Sequence, residues 1–296
     1  MKVAIIGGAG KMGRWFTRYF VQQRHDVTIS DIDEVNARRF ARSLGIRLSH
    51  NNSEAAGSAD LIAVCTPITA VPKVIKEILD DLNPSAAVME ISSVKSPVMP
   101  IMKKIALMGR RVLSVHPLFG PGVEDPSGER IALVPIHDAA SEIDFAKQLF
   151  PNLEIILVDL ERHDHAMALT LSLTHFINIV LASMLAKENV EELKNLGGTT
   201  FTMQLLLSES IMTENPKLCA SIQMSNPYTI QYLEKFLSEA YRLMQHVREG
   251  EEKEFSKFFN EAYSALSEHE RLADSYEAMY RALKTIRNSS GDAANP

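Results

Sequence analysis

The sequence predicts an α/β fold, a doubly wound parallel sheet followed by an all-helical region, and three observations support it. Up to about residue 158, short apolar runs alternate with amphipathic stretches. A glycine-rich segment at 7–13 separates the first apolar run from the first amphipathic stretch. Beyond residue 158 only helical periodicity remains. Continuous apolar strands that alternate with helices are typical of a parallel sheet covered on both faces.

Seven apolar runs and three amphipathic stretches define the first half of the chain. Strands are expected at 3–6, 26–30, 60–65, 87–91, 112–115, 131–134 and 155–158, and helices at 11–23, 35–44 and 71–82. The second half is punctuated by Gly197-Gly198, Asn215-Pro216 and Asn226-Pro227. We therefore expect a domain over 1–158, a helical domain over 159–287, and a small, polar, disordered tail over 288–296.

Composition narrows the class of protein. The 296 residues carry a formal net charge of −6, from 31 basic and 37 acidic side chains, which argues against nucleic acid as the main partner. Cys65 and Cys219 each lie in an apolar run, so we expect reduced, buried thiols in a cytoplasmic protein. Because Met1-Lys2 leads directly into the first strand, no signal segment is expected.

One segment, 166–186, is long and apolar enough to be compared with a membrane span. It carries no formal charge unless His175 is protonated. Several polar residues interrupt it: Thr170, Ser172, Thr174, Asn178 and Ser183. A helix that is apolar nearly all round is usually a buried central helix in a soluble protein. We therefore expect a buried helix here and no membrane association.

The segment from Gly8 to Gly13 has the GxGxxG spacing of a dinucleotide-binding turn, and it follows a strand and opens a helix, as in a Rossmann-type fold. Gly8 is expected to permit the tight turn, Gly10 to let the backbone approach a pyrophosphate, and Gly13 to let helix and strand pack closely. The helix N-terminus, where Lys11 and Met12 lie, would then face the phosphates with its backbone N–H groups. The alternative is a structural turn without a cofactor.

Asp31 ends the second strand, 21 residues beyond Gly10 (31 − 10). A carboxylate there binds the adenosine ribose hydroxyls and repels a 2′-phosphate, which predicts NAD as the cofactor. Asp33 offers the same group, and Asp31 is alternatively the N-cap of a helix beginning near Glu34. Thr66-Pro67 follows the third strand, where the crevice of the sheet is expected, so both residues are predicted to contact the cofactor.

Two further strand ends carry polar side chains, Ser92-Ser93-Val94-Lys95 and His116-Pro117. Strands of a parallel sheet present functional groups at their carboxyl ends, so both should face the nicotinamide. A histidine on a loop stiffened by prolines is a suitable proton acceptor for an alcohol that is being oxidised. Alternatively, the serines cap a helix ahead of Pro97, Lys95 is a solvated surface lysine, and His116 is an ordinary loop histidine.

The helical half opens with Arg162-His163-Asp164-His165. On a regular helix, positions 164, 168, 171 and 175 share one face, so Asp164 and His175 are predicted to lie on one stripe about three turns apart. Side chains two residues apart on a helix point in different directions, so no metal site is expected. His175 is alternatively a core histidine.

Together these motifs resemble those of the prephenate dehydrogenase family of tyrosine biosynthesis. The matching segments are GGxGxMG at 7–13, SSVK at 92–95, HPLFGP at 116–121, HDxxM at 163–167 and LTHF at 173–176. The resemblance implies NAD-dependent oxidative decarboxylation of prephenate to 4-hydroxyphenylpyruvate. Arogenate and cyclohexadienyl dehydrogenases share the motifs, so an arogenate dehydrogenase giving tyrosine stays open. The alternative from another class is a catalytically silent NAD-sensing protein.

The resemblance also implies roles for individual residues. His116 corresponds to the catalytic histidine that hydrogen-bonds the ring hydroxyl, and Ser93 to the serine that orients that histidine or the substrate. His175 corresponds to a second histidine that lines the substrate pocket. The helical half corresponds to a homodimerisation domain. The gain of aromaticity drives the reaction, so it needs no metal ion.

One position departs from the family pattern. The family usually has an arginine six residues before the proline that corresponds to Pro216, where it binds a substrate carboxylate, and this chain has Ser210 there (216 − 6). Thr202 also replaces an arginine of some members. We therefore keep Ser210 in the predicted substrate site and expect another cation nearby. Lys95 is favoured because it follows Ser93, and the alternatives are Arg130, Arg162 and a cation of a partner subunit.

Overall fold

Eight strands form one sheet in the computed structural model of the chain, which describes residues 1–268 and 272–291. The strands are β1 (Lys2–Ile6), β2 (Asp26–Ser30), β3 (Arg47–Leu48), β4 (Leu61–Val64), β5 (Ala87–Glu90), β6 (Arg111–Pro117), β7 (Arg130–Leu133) and β8 (Glu154–Leu157). Their spatial order is β3-β2-β1-β4-β5-β6-β7-β8. The first six strands are parallel and have the order of a doubly wound dinucleotide-binding sheet, which confirms the predicted fold class.

The far end of the sheet departs from the expected parallel arrangement. β7 runs antiparallel to β6, with His116 opposite Ala132 and Pro117 opposite Ile131. β8 is parallel to β7, so the sheet is mixed. As a result, the beginning of β7 lies at the edge of the sheet where β1 to β6 end. The pairing also extends β6 through Pro117, so His116 lies within a strand and not on the loop that the sequence predicted.

Six helices cover the sheet: α1 (Lys11–Gln22), α2 (Glu34–Leu44), α3 (Asn52–Gly57), α4 (Val71–Ile78), α5 (Met99–Leu107) and α6 (Ala139–Leu149). Successive strand residues point to opposite faces. Ile5 accordingly joins an apolar cluster with Phe16 of α1 and Phe40 of α2. Ile6 joins a second cluster, with Ile75 of α4 and Ile105 of α5. Both faces of the sheet are therefore buried, as the apolar strands predicted.

The remaining elements are helical: α7 (Leu160–Met167), a π-helical segment (Ala168–Leu173), α8 (Thr174–Leu185), α9 (Val190–Leu196), α10 (Thr199–Met212), α11 (Pro216–Ser225), α12 (Thr229–Glu249), α13 (Glu252–Ser267) and α14 (Leu272–Gly291). α8 packs against α10, which also contacts α14. Between α12 and α13, the Arg242 guanidinium lies 4.6 Å from the centre of the Phe258 ring. The predicted disordered tail is helical over 288–291, and 292–296 lies outside the described residues.

The chain divides into two compact units, elsewhere than at the predicted boundary at residue 158. The first unit contains Met1–Ser172 and Lys217–Thr229, and the second contains Leu173–Pro216 and Ile230–Pro296. The first unit extends beyond the sheet because α7 and the segment 217–229 pack with it. Leu160, Leu171, Leu218 and Ile222 all belong to or adjoin the apolar cluster beneath α4 and α5.

The apolar helix expected to be buried is not buried within this chain. Asn178 is the one buried residue of α8, and Val180 and Met184 are exposed. Among the described residues, Leu160–Leu185 is the one helical stretch whose length and composition would allow it to cross a membrane. Such a stretch is weak evidence for a span, since core helices pass the same test. Burial in the core of a single chain therefore does not account for the apolar side chains of α8.

Candidate active site

The turn between β1 and α1 is tight, and glycine is required at several of its positions. Gly7 has φ +87°, so Gly7 is the left-handed residue of the turn. A Cβ on Gly8 would lie 2.6 Å from the Ile29 Cβ, so Gly8 serves close packing against β2. A Cβ on Gly13 would lie 2.0 Å from the Gly7 carbonyl oxygen, so only glycine at this position lets α1 pack directly against the turn. Gly10, the exposed N-cap of α1, has no side chain to occupy the helix end.

Asp31 connects this turn to the end of β2. Its Oδ2 accepts a hydrogen bond from the Ala9 N–H at 2.8 Å, and its Oδ1 accepts one from the Asp33 N–H at 2.9 Å. The N-cap of α2 is Asp33, whose side chain accepts from the Asn36 N–H, so the alternative that Asp31 caps this helix is wrong. Hydrogen bonds from Asn36 lower the pKa of Asp33. Asp31 therefore lies beside the glycine turn, where a carboxylate that binds a cofactor ribose is expected.

Other features of this edge also suit a dinucleotide. The N-cap of α1, directly before Lys11 and Met12, is Gly10, which has no side chain to cap the helix. Thr66, next to Gly7, has a buried Oγ1 without a hydrogen-bond partner in the described part of the chain. Pro67 beside it is exposed. An uncapped helix end and an unsatisfied hydroxyl fit a phosphate-bearing cofactor.

His116 lies near the end of β6 and is 8% exposed. Burial, together with the neighbouring Lys95 and His163, holds the pKa of His116 well below its ordinary 6.5, against the opposing effect of Asp164. The imidazole is therefore neutral at physiological pH, which is the form that accepts a proton. The loop after β6 packs against α1. The ring of Phe119 on this loop lies 4.8 Å from the ring of Trp15 on α1, measured between ring centres, and the Trp15 Nε1 donates to the Val123 carbonyl at 2.8 Å.

A chain of hydrogen bonds connects His116 to a buried carboxylate on α7. The His116 Nδ1 lies 3.2 Å from the His163 Nε2, and the His163 Nδ1 lies 2.8 Å from the Asp164 Oδ1. The same Oδ1 accepts from the Lys95 N–H at 2.9 Å. The Asp164 Oδ2 accepts from the Ser96 N–H at 2.8 Å and the Ser96 Oγ at 2.5 Å. His163 and Asp164 are 1% and 0% exposed.

Lys95 is buried, which argues against its predicted role as the cation for a substrate carboxylate. Its side chain is 0% exposed, and its Nζ donates to the Glu90 Oε1 at 2.6 Å and the Val115 carbonyl at 2.7 Å. Burial lowers the pKa of Lys95, and Glu90 opposes the shift. Glu90 also accepts hydrogen bonds from the Ser114 hydroxyl and the Ser92 N–H. The ammonium therefore stabilises the ends of β5 and β6 from inside, and the alternative of a solvated lysine is equally wrong.

The other predicted residues of this edge differ in accessibility. Ser93 is half-buried between buried Ser92 and Val94, and its role stays a prediction. Arg130 and Arg162 are exposed, and the Arg162 Nε lies 4.0 Å from the Asp159 Oδ2. Arg130 begins β7, and its carbonyl accepts from the Leu118 N–H at 2.9 Å, directly after the strand segment that carries His116.

His175 and Ser210 belong to the second unit and were not brought together with the residues above by any described contact. The His175 Nδ1 is buried without a hydrogen-bond partner in the described part of the chain. Burial lowers the pKa of His175, and Glu214 opposes the shift. Ser210 is exposed, and its Oγ donates to the Leu207 carbonyl at 2.8 Å. Both assignments to a substrate site stay predictions.

The predicted stripe of Asp164 and His175 fails for a physical reason. The π-helical segment Ala168–Leu173 lies between them, and its wider turn breaks the regular spacing on which the stripe depended. Asp164 instead points into the sheet unit, where it receives the bonds described above. Sequence reasoning named His163 and Asp164 as a poor metal site and as part of the HDxxM motif, but did not connect them with His116, and it did not single out Glu90. The signal was a charged residue inside an apolar strand, which requires a buried partner.

Comparison with known proteins agrees with this geometry. The nucleotide-binding domain model of prephenate dehydrogenase matches residues 17–135, and the dimerization domain model of the same enzyme matches 159–261. A probable arogenate/prephenate dehydrogenase of Methanocaldococcus jannaschii is 27% identical over 269 residues, which cover 88% of this chain and 60% of that protein. The chain thus spans about three fifths of the length of this relative.

Two solved structures share the fold. Aquifex aeolicus prephenate dehydrogenase, in complex with hydroxyphenyl propionate and NAD+, has a TM-score of 0.74 at 19% identity and covers 91% of this chain and 98% of its own. Synechocystis arogenate dehydrogenase has a TM-score of 0.67 at 17% identity and covers 91% of this chain and 100% of its own.

The doubly wound sheet, the glycine turn and the match to a nucleotide-binding domain define a protein with a dinucleotide-binding type of fold followed by a helical region. Within that class, the chain belongs to the prephenate dehydrogenase family, with both the nucleotide-binding and the dimerization domain.

The buried position of Lys95 predicts a large effect on stability. Replacing it with alanine leaves the Glu90 carboxylate buried and unpaired, so Lys95→Ala should lower the free energy of unfolding by about 3–5 kcal/mol. Urea denaturation followed by circular dichroism measures the change. Lys103→Ala, at an exposed lysine of α5, is the matched control and should change stability by less than about 0.5 kcal/mol. Equal stability of the two variants would contradict the structural role.

Proposed function

We propose that this protein catalyses the NAD-dependent oxidative decarboxylation of prephenate to 4-hydroxyphenylpyruvate. The observation that carries the proposal is a neutral, buried His116 at the carboxyl edge of a dinucleotide-binding sheet, in a chain of the prephenate dehydrogenase family. A turnover assay with prephenate, and then with arogenate, as the sole substrate tests it. No turnover of either would favour a catalytically silent, NAD-sensing protein.

His116 would act as the proton acceptor of the reaction. Its free nitrogen takes the proton of the ring hydroxyl as the carbon–oxygen bond gains double-bond character, and it later returns this proton to the phenol oxygen. When bound, the oxidised cofactor would supply the hydride acceptor for the same ring carbon, and the ring carboxyl would leave as carbon dioxide when the ring becomes aromatic. Ser93 would orient His116 or the substrate, as the family resemblance implies.

The glycine turn and Asp31 would hold the cofactor. Gly10 and the N–H groups of Lys11 and Met12 would bind the pyrophosphate at the start of α1, as helix N-termini bind phosphates. Asp31 would accept the ribose hydroxyl hydrogen bonds, and Thr66 would offer its unsatisfied hydroxyl.

The cysteines agree with a cytoplasmic location, where NAD is available. Burial raises the pKa of the Cys65 thiol, which keeps this cysteine unreactive.

Arg130 replaces Lys95 as the favoured cation for a substrate carboxylate. Because β7 is antiparallel to β6, Arg130 begins its strand at the edge where His116 lies, one residue before the pairing of Ile131 with Pro117. A parallel β7 would have placed it at the opposite edge. Its guanidinium is exposed and suits a bidentate carboxylate contact. Arogenate stays the alternative substrate, since Ser210 stands where the family usually has an arginine.

A homodimer explains the exposed apolar side chains of the second unit. Large hydrophobic residues on α8, α10, α12 and α13 are 41% to 65% exposed in the single chain: Val180, Met184, Leu206, Leu207, Tyr241, Met244, Val247, Phe259 and Tyr263. Exposed patches of this kind mark protein interfaces. The match to the dimerization domain, residues 159–261, covers α8, α9, α10 and α12 and the part of α13 up to residue 261. We therefore propose association of two copies through these helices.

Replacement of His116 tests the proton acceptor. His116→Asn should lower kcat by roughly 10²–10⁴-fold, the usual contribution of a positioned general base, and leave NAD affinity within a factor of about two. The neutral imidazole is the active form, and its pKa is lowered, so wild-type kcat/KM should stay level as the pH falls through 6.5 and decrease only below it. An acid limb at or above pH 6.5, or a fully active His116→Asn, would contradict the assignment.

Replacement of Asp31 tests the cofactor. The wild-type protein should bind NAD more tightly than its 2′-phosphorylated form, because a carboxylate beside the phosphate is a like-charge clash. Asp31→Asn should weaken NAD binding and narrow the difference between the two cofactors by at least about tenfold. Isothermal titration with each cofactor measures both constants. Equal binding of the two forms by the wild type would refute NAD specificity.

Replacement of Arg130 tests the carboxylate site. Arg130→Met should raise the KM for prephenate by roughly ten- to a hundredfold and leave NAD affinity unchanged, because a charged hydrogen bond contributes about 1.5–3 kcal/mol. Arg111→Met is the matched control, since Arg111 begins β6 at the other edge of the sheet. The same KM in both variants would move the carboxylate site elsewhere.

A further inference from the structure

We propose that His163 and Asp164 are positioning residues that fix the tautomer of His116, so that its Nε2 carries the lone pair that accepts the proton. The inference rests on the proposed function, because it assigns a partner to the same proton acceptor. It is carried by the buried sequence of contacts from Asp164 through His163 to His116. His163 would touch neither substrate nor cofactor in this role and would act through His116 alone.

The direction of the hydrogen bonds begins at Asp164, which is surrounded by donors. Two backbone N–H groups, those of Lys95 and Ser96, and the Ser96 hydroxyl donate to its two oxygens. Burial raises the pKa of Asp164, but the hydrogen bonds from His163, Ser96 and Lys95 outweigh it, and the pKa lies below the ordinary value. Asp164 is therefore an ionised, acceptor-only group. The nitrogen that faces it, the His163 Nδ1, must carry a hydrogen.

The position of the hydrogen on His163 determines the position of the hydrogen on His116. A neutral imidazole has one N–H and one acceptor nitrogen, so a His163 with its hydrogen on Nδ1 presents a lone pair on Nε2. That lone pair lies 3.2 Å from the His116 Nδ1, which must then be the donor. The hydrogen of neutral His116 is thus on Nδ1, and its Nε2 is free to accept a proton. Without His163, nothing in the described contacts would prefer this tautomer over the unreactive one.

The charges around His116 support a fixed neutral ring. Burial and the Lys95 ammonium disfavour its protonation, and Asp164 favours it from behind His163. Glu90 balances Lys95 at 2.6 Å, so the ammonium is not an isolated charge. The arrangement resembles the general pattern in which a buried carboxylate holds an imidazole in one tautomer for proton transfer. Here a second histidine is inserted between the carboxylate and the reactive ring.

A pair of His163 variants separates positioning from packing. In His163→Gln, the side-chain NH₂ can donate to Asp164 and the amide oxygen can accept from the His116 Nδ1, so the tautomer is retained. In His163→Leu, the volume is similar but both contacts are lost. We expect kcat within about tenfold of wild type for His163→Gln and a decrease of about a hundredfold or more for His163→Leu. NAD affinity should be unchanged in both, and Glu161→Gln, at an exposed carboxylate of the same helix, should match the wild type.

The tautomer itself provides a readout that is independent of turnover. In protein labelled with ¹⁵N-histidine, long-range ¹H–¹⁵N correlation spectra distinguish the two neutral forms, and the spectra of His116→Asn and His163→Gln assign the signals. We expect hydrogen on Nδ1 for both His116 and His163 in the wild type, and a mixture of forms for His116 in His163→Leu. Hydrogen on the Nε2 of His116 in the wild type, or equal kcat losses in His163→Gln and His163→Leu, would overturn the inference. Hydrogen on Nδ1 in a protein that turns over neither substrate would instead support the positioning contact and overturn the proposed function.

Discussion

The ion pair between Glu90 and Lys95 is the interaction on which the carboxyl-terminal edge of the sheet depends. Both side chains are 0% exposed, and two charges removed from water are tolerated only when each satisfies the other. The pair also has a geometric consequence. The ammonium binds the Val115 carbonyl, the carboxylate binds the Ser114 hydroxyl, and these residues immediately precede His116. The ends of β5 and β6 are therefore joined through side chains as well as through the sheet, and His116 directly follows this joined segment.

The parts of the fold that sequence patterns predicted are those determined by local periodicity. Continuous apolar runs corresponded to β1, β2, β4 and β5, because a strand buried on both faces leaves no room for polar alternation. The glycine spacing likewise reported a steric requirement, as the Cβ clash at Gly13 shows. β3, a strand of two residues, and α3, a helix of six, were too short to leave a periodic signal. Their existence depends on packing against longer neighbours.

What could not be predicted depends on contacts between distant parts of the chain. Nothing in 130–133 announces that β7 is antiparallel to β6, yet this reversal decides which edge receives Arg130. The π-helical segment after α7 changes the register of every later residue, so a stripe drawn on an ideal helix fails there. Lys95 was predicted to face a substrate carboxylate because it follows a strand end, but it is buried against Glu90, five residues away across that strand end. In each case, contacts between residues that are distant in sequence determine the structure.

The contact between Trp15 and the loop after β6 makes intrinsic fluorescence a local probe of this protein. The sequence contains one tryptophan, and its indole donates to the Val123 carbonyl while its ring lies against Phe119. All of the tryptophan fluorescence originates where α1, the helix of the glycine turn, meets the loop that follows His116, and indole emission changes with the polarity and hydrogen bonding of its surroundings. Reduced nicotinamide absorbs where indole emits, so a nicotinamide cofactor held at this edge of the sheet would quench the signal by energy transfer. The single tryptophan thus reports on this edge of the sheet without any added label.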